Sequence, residues 1–224
     1  MYSGMPVKLN DCLQHGTGSD SELFIVEGDS ASKNVVRVRD QARQAVLPMQ
    51  GKPMNAWKAS QQVVARNDLY QRLIAALGAN WGAAFELTKL RYARILLLFD
   101  PDADGIHCSA LTLMFFLRWM PELLDTERIQ LVRPPLYEIS SQQFPGNSSA
   151  DRIHAYSDDH FRRLREHLQS KQIEFQSQRF RGLASINADT LSRTCVAPAR
   201  RYATTMSRAD AAAAVKVFGG ETAR

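Results

Sequence analysis

Two short apolar runs along this chain each end on an acid. Leu23 to Val26 is apolar throughout and stops at Glu27, and Ile95 to Phe99 is apolar throughout and stops at Asp100. Runs of this length and character predict buried strands. Between them, Ser60 to Leu77 spaces Val63, Val64, Leu69, Leu73, Ile74 and Leu77 at roughly helical intervals, with Gly78 as a stop signal, so a helix is predicted there. Ile129 to Val132 predicts a further strand. Ala110 to Met120, the most apolar segment, is too short to span a bilayer and contains Arg118, so it predicts a buried helix and no membrane partner. Strands alternating with helices predict an α/β fold, a mostly parallel sheet flanked by helices, whose ligands sit beyond the carboxyl ends of the strands. Glu27 and Asp100 both fall there. A helix is also expected after Gly28, which permits a tight turn.

From Phe144 to Asp151 the composition shifts to Pro, Gly, Asn and Ser, which predicts an exposed loop and a boundary between a first unit over 1–143 and a smaller mixed unit over 144–224. In the second unit, Ser157 is a helix cap ahead of Phe161, Leu164 and Leu168. Ile173 and Phe175 alternate with polar neighbours as a strand does, and Ser207 with Asp210 forms a weak capping box for a last helix running to Phe218.

Charge changes this picture moderately. Lys and Arg number 28 against 23 Asp and Glu, a net +5 that favours a polyanionic partner without requiring one. Seven basic residues lie between Lys33 and Arg66 with Asp40 as the one acid, and six arginines lie between Arg179 and Arg208 with Asp189 as the one acid. Either run reads equally as a solvated face or as a nucleic-acid contact. Cys12, Cys108 and Cys195 are odd in number and far apart, and the first residues lack the basic-then-apolar order of a signal peptide, so a reducing, cytoplasmic setting is expected.

Asp100-Pro-Asp-Ala-Asp-Gly105 places three carboxylates at alternate positions, a spacing that lets a turning loop converge them on a hard cation. Carboxylates this close repel one another unless a metal or a basic group neutralises them, although a solvated Asp-rich turn has the same composition. The opening matches an EF-hand loop, but its twelfth position is Leu111 where a bidentate Glu is needed, and a strand precedes it where a helix is needed. Two strand-terminal acid motifs facing one crevice suggest one or two magnesium ions holding a phosphate, with a spare carboxylate for proton transfer.

With these residues placed, the chain resembles the toprim domain and tail of bacterial type IIA topoisomerase B subunits. The likeness runs through Lys8-Leu-Asn-Asp-Cys12, Glu22-Leu-Phe-Ile-Val-Glu-Gly-Asp-Ser-Ala31, Leu47-Pro48, Gly51-Lys52 with Asn55, Leu90-Arg-Tyr92, Asp100 to Gly105 with His107, Pro121-Glu-Leu123, Pro134-Pro-Leu-Tyr137 and Arg179-Phe-Arg-Gly-Leu183 with Asn187. It implies a Rossmann-like toprim fold and a general acid and base at Glu27, which protonates the departing 3′ oxygen on cleavage and reverses this on religation. It implies Mg2+ held by Asp100 and Asp102 with Glu27 at one position, and by Asp102 and Asp104 at the alternative one. Lys52, Asn55, Lys33, His107 and Arg181 are the expected DNA contacts. By sequence alone Lys52 and Asn55 also read as an exposed lysine and a turn asparagine, and His107 as a helix-start histidine.

The implied partners are double-stranded DNA at the nucleoid and an A-type subunit that supplies the nucleophilic tyrosine. The family's ATP-binding and transducer domains precede the segment matched by Lys8, and 224 residues leave no room for either, so a separate ATPase subunit is a further candidate partner. The chain departs from the family at Ser32, Lys33 and Asn34, where a small Gly-Gly-Ser turn is usual, and at Pro101, where alanine is usual. Gln50 and Ser109 replace arginines, and Ala184 and Ser185 replace a Gly-Glu pair. These losses motivate one alternative, a non-catalytic paralogue that binds DNA or the A-type partner and regulates the topoisomerase; a third reading is a stand-alone toprim nuclease using water.

Overall fold

A computed structural model describes residues 8–144 and 152–220. The elements in the first part are β1 (Glu22–Val26), α1 (Asp29–Val38), β2 (Gln44–Pro48), α2 (Gln61–Ala65), α3 (Asp68–Leu77), β3 (Arg94–Leu98), α4 (Ala103–Trp119), α5 (Glu122–Asp125) and β4 (Ile129–Val132). There follow β5 (Tyr137–Ser140), β6 (Ile153–Ala155), α6 (Asp158–Ser170), β7 (Gln176–Arg179), α7 (Ala188–Leu191), β8 (Ala203–Thr205) and α8 (Arg208–Phe218). Among the described residues, no helix is long and apolar enough to cross a membrane.

The main sheet has the order β2-β1-β3-β4-β8, parallel except for β8, which runs antiparallel to β4. Because β1, β2 and β3 are covered on both sides, they are apolar at most positions, and successive residues feed opposite faces. Leu23, Ile25, Leu47, Ile95 and Leu97 pack with Tyr70, Leu73 and Leu77 of α3 and with Leu113, Phe115 and Phe116 of α4. Phe24, Val26, Val46, Leu96 and Leu98 pack on the other face with Val35 of α1 and with Phe180, Leu183, Leu191 and Val196. The residues after β7 therefore complete one face of the main sheet. β5, β6 and β7 form a separate antiparallel sheet in the order β6-β5-β7. The expected mostly parallel sheet is present, accompanied by this smaller antiparallel sheet.

Several expectations need correction. The helix expected over Ser60 to Leu77 is two, because two N-caps interrupt it: the Ser60 side chain accepts from the Val63 N–H and the Asn67 side chain from the Tyr70 N–H. Val63, counted toward the apolar face, is 50% exposed. Gly78 does end α3, in the left-handed region at φ 71°. The strand expected at Ile173 and Phe175 lies one step further on. Exposed Gln176–Arg179 pairs with β5 from Ser140↔Gln176 to Tyr137↔Arg179, so backbone pairing, not apolar alternation, decides it. Most of the loop expected over Phe144 to Asp151 lies outside the described residues. The caps at Ser157 and Ser207 form as expected, the latter with Asp210 as a capping box.

At the amino end of β1, Glu22 is 1% exposed and ties the sheet to the tail. Arg201 donates to both of its oxygens, at 2.7 and 2.6 Å, Arg94 Nε donates at 2.9 Å, and Gln44 Nε2 at 2.9 Å. Burial pushes the Glu22 carboxyl up, but these bonds and the Arg201 charge outweigh it and hold the group below the usual carboxylate range. Replacing Arg201 with methionine should cost about 3 kcal/mol in urea unfolding at neutral pH, since it strips a buried charge of its main partner. The stability Glu22 contributes is fully present above the ordinary value of 4.5 and is lost as pH falls through its lowered folded value. The difference between wild type and R201M should therefore shrink in acid.

Candidate metal centre at the carboxyl ends of β1 and β3

The strand order 2-1-3 places β1 where the sheet changes direction: the chain goes from β1 to a neighbour on one side and then to β3 on the other. Such a switch point opens a crevice beyond the carboxyl ends. Val26 of β1 stands opposite Leu98 of β3, so Glu27 and Phe99-Asp100 leave the sheet side by side. Gly28 caps α1 after the first acid. After the second, Asp102 caps α4, its Oδ1 accepting the Gly105 N–H at 2.8 Å. Gly105 is required at this turn, because a Cβ there would meet the Asp100 carbonyl oxygen at 2.0 Å. The α4 amino terminus thus stands against Asp100, Asp102 and Asp104 and favours their negative charge.

The loop after β2 brings Lys52, whose Nζ lies 3.0 Å from Asp104 Oδ1. The Glu27 carboxylate accepts no hydrogen bond from any described residue. Burial first, then the charges of Asp100, Asp102 and Asp104, push its carboxyl up, with Lys52 opposing. Burial also raises Asp100, offset in part by the Leu183 N–H donated to Oδ1 at 2.7 Å and reinforced by the Asp102 charge. These are oxygen donors alone, in excess over the one nearby lysine, a set suited to a hard divalent cation.

The remaining expected site residues are placed unevenly. His107, half-exposed on α4, stacks on Phe218 with ring centroids 5.0 Å apart, and burial and Lys52 lower its pKa against the pull of Asp104. Arg181 is exposed and lines an open groove of about 450 Å³ with Pro101, Asp102, Leu136, Arg179 and Phe180, so it faces the acidic loop. Lys33 is exposed on α1 beside Asp29. Asn55 is committed within the chain: its amide donates to the Phe218 carbonyl at 3.2 Å and its oxygen accepts the Trp57 N–H at 3.1 Å. Gln50, at φ 59°, donates to Asp29 and accepts from Arg72.

Much of the basic excess is also spent internally. Arg39 donates to the carbonyls of Asn10 and Asp11, Arg43 pairs with Asp20, Arg201 with Glu22 and Arg208 with Asp125. Arg37, Lys58, Arg66 and Arg200 are exposed and carry no ion pair among the described residues. Sequence reasoning did not count Leu183, which touches Asp100, among the site residues. Leu183 acts through a backbone N–H, which leaves no trace in residue identity.

A second cluster also has the spacing to hold a metal ion. Ligand atoms of Asp11, Cys12 and His15 all lie within 4.8 Å of one another, the one such trio of His, Cys, Asp or Glu among the described residues. A cation already fills it. Arg91 lies 2.5 Å from Asp11 Oδ2 and 2.9 Å from His15 Nε2, and the Tyr92 hydroxyl donates to Asp11 Oδ1 at 2.7 Å. Against the upward push of burial, His15, Tyr92 and Arg91 lower the Asp11 carboxyl to about 2.

An open, mostly parallel sheet with an acid after β1 and alternating acids after β3 defines the class, and the Toprim domain profile matches residues 22–134; the chain belongs to the Toprim family. It is further similar to the DNA gyrase B subunit of Archaeoglobus fulgidus, 36% identical over 218 residues that make up 97% of this chain and 33% of that protein. The Thermotoga maritima gyrase B subunit is 36% identical over 214 residues, 96% of this chain and 32% of that protein, and the Treponema pallidum one 34% over 215, again 96% and 32%. The chain thus spans about a third of the length of the curated relatives it matches, and the likeness covers the tail as well as the Toprim region.

Because burial and the charges of three aspartates both disfavour the ionised Glu27, E27Q should stabilise the metal-free protein. The expected gain is about 2–4 °C in thermal midpoint at neutral pH in a chelating buffer, from roughly 1 kcal/mol of relieved repulsion. An unchanged or lowered midpoint would count against that electrostatic picture.

Proposed function

We propose that this chain is the magnesium-dependent DNA cleavage and religation module of a type IIA topoisomerase, completed by an A-type subunit that supplies the nucleophilic tyrosine. One observation carries the reading. Four carboxylates with a single lysine near them sit at the switch point of a Toprim sheet, in a chain of which 97% is similar to a third of a DNA gyrase B subunit.

Glu27, Asp100, Asp102 and Asp104 would hold the ion, which would supply stabilisation of charge developing on phosphate oxygens. Glu27, whose carboxylate is left without a hydrogen bond, gives a proton to the departing 3′ oxygen on cleavage and takes it back on religation. Lys52 pairs with Asp104, His107 stands near both, and Arg181 lines the groove with Asp102; with exposed Lys33 on α1, these are the side chains that would contact phosphates. Asn55 serves DNA indirectly, by anchoring the Lys52 loop to the end of α8. The protein would work at the nucleoid in the cytoplasm.

Incubating supercoiled plasmid with magnesium, this chain and an A-type subunit from the same source should yield protein-linked ends that require both proteins and vanish in E27A. No linked ends under any condition would overturn the catalytic reading in favour of a regulatory DNA-binding paralogue, and protein-free 5′ phosphate ends would favour a nuclease. DNA affinity should fall steeply with salt, and R181A should weaken binding across sequences and reduce the log–log salt slope by about 1.

A further inference from the structure

Asp100 is held from the tail. Its Oδ1 accepts the Leu183 N–H at 2.7 Å, and the backbone of Gly182 passes so close that a Cβ at that position would come within 2.5 Å of Oδ2 and 2.8 Å of Cγ. The turn that makes this approach is braced twice. Ser185 Oγ accepts the Arg181 N–H at 2.9 Å and donates to the Gly182 carbonyl at 2.7 Å. From α1, Asn34 Nδ2 donates to the carbonyls of Leu183 and Ala184, each at 3.3 Å. The Leu183 side chain is fully buried in the face shared with Val35 of α1, which fixes the depth of the turn.

We propose that Asn34 and the 181–185 turn are positioning residues for Asp100, holding its carboxylate so that one oxygen is committed to Leu183 and the other is presented to the cation. This rests on the reading of Asp100 as a magnesium ligand. Gly182 leaves Oδ2 uncovered, since any side chain there would occupy the space against it. A carboxylate presented through one oxygen suits Mg2+, which demands a near-ideal octahedron, better than Ca2+, which accepts bidentate carboxylates in looser geometry. The tail is on this account part of the metal centre, and it favours magnesium over calcium by orientation rather than by charge. Partners that orient a ligand in this way are typically worth 10–100-fold in metal affinity.

The test is calorimetric titration of the full chain, freed of metal, with Mg2+ and separately with Ca2+, in wild type, N34A, G182A and D102N. N34A should weaken Mg2+ binding by about tenfold and G182A by more, both with a smaller loss for Ca2+, so that the Mg2+ to Ca2+ preference falls. The Leu183 amide should exchange faster with solvent in both variants while the urea midpoint of N34A stays near wild type. N34D, which keeps the shape but loses the donor, should behave as N34A. If G182A does not fold, N34A and N34D carry the test. Wild-type affinity and preference in both Asn34 variants, with binding lost in D102N, would overturn the positioning role and leave the magnesium site standing. Absence of Mg2+ binding in wild type, or binding indifferent to D102N, would overturn the site and the positioning role together.

Discussion

Mutual repulsion among Glu27, Asp100, Asp102 and Asp104 is the constraint around which the rest of the molecule is arranged. Parallel pairing of β1 with β3 delivers the first two acids side by side, and the Asp102 cap of α4 brings the others into the same crevice. Left alone, such a cluster opposes folding. The protein offsets part of the cost with the α4 amino terminus, with Lys52, and with the Leu183 N–H. On the proposed reading, what remains uncompensated drives the uptake of a cation.

The two ends of β1 show the same residue type used in opposite ways. Glu22 is deeply buried, yet its oxygens are matched by two arginines and a glutamine, so its charge is spent on joining the tail to the sheet. Glu27, five residues later and less buried, is surrounded by other acids and receives no such partners. Asp11 repeats the first pattern, with Arg91 and Tyr92 filling the position that a metal would need. Surplus negative charge, more than proximity of ligand atoms, distinguishes the candidate metal centre from these structural ties.

The framework was legible in the sequence where one physical rule acted alone. Apolar runs ending on Glu27 and Asp100 gave β1 and β3, the apolar stretch around Ala110 to Met120 gave most of α4, and Ser207 with Asp210 gave the start of α8. Legibility failed where rules competed. Two asparagine and serine caps broke an apolar periodicity that counted as one helix, and β7 formed from Gln176–Arg179 because its neighbour β5 needed a partner. β2 went unread because Gln44 and Pro48 bound it, although all five of its residues are buried. At the site, the acids announced themselves by spacing, whereas the amide of Leu183, the close approach of Gly182 and the brace from Asn34 depend on contacts about 80 and 150 residues apart in sequence. Asn55 shows the converse: a recognisable residue whose polar atoms are already engaged with Phe218 and Trp57.

On the proposed reading, the acids after β1 and β3, and not the Asp11, Cys12 and His15 trio, form the metal centre. Crystals of the full chain soaked in manganese, with anomalous scattering recorded at its absorption edge, test this most directly. A peak within coordination distance of Glu27, Asp100 or Asp102 is the predicted result; a peak at Asp11, Cys12 and His15 with none at the acids would contradict it.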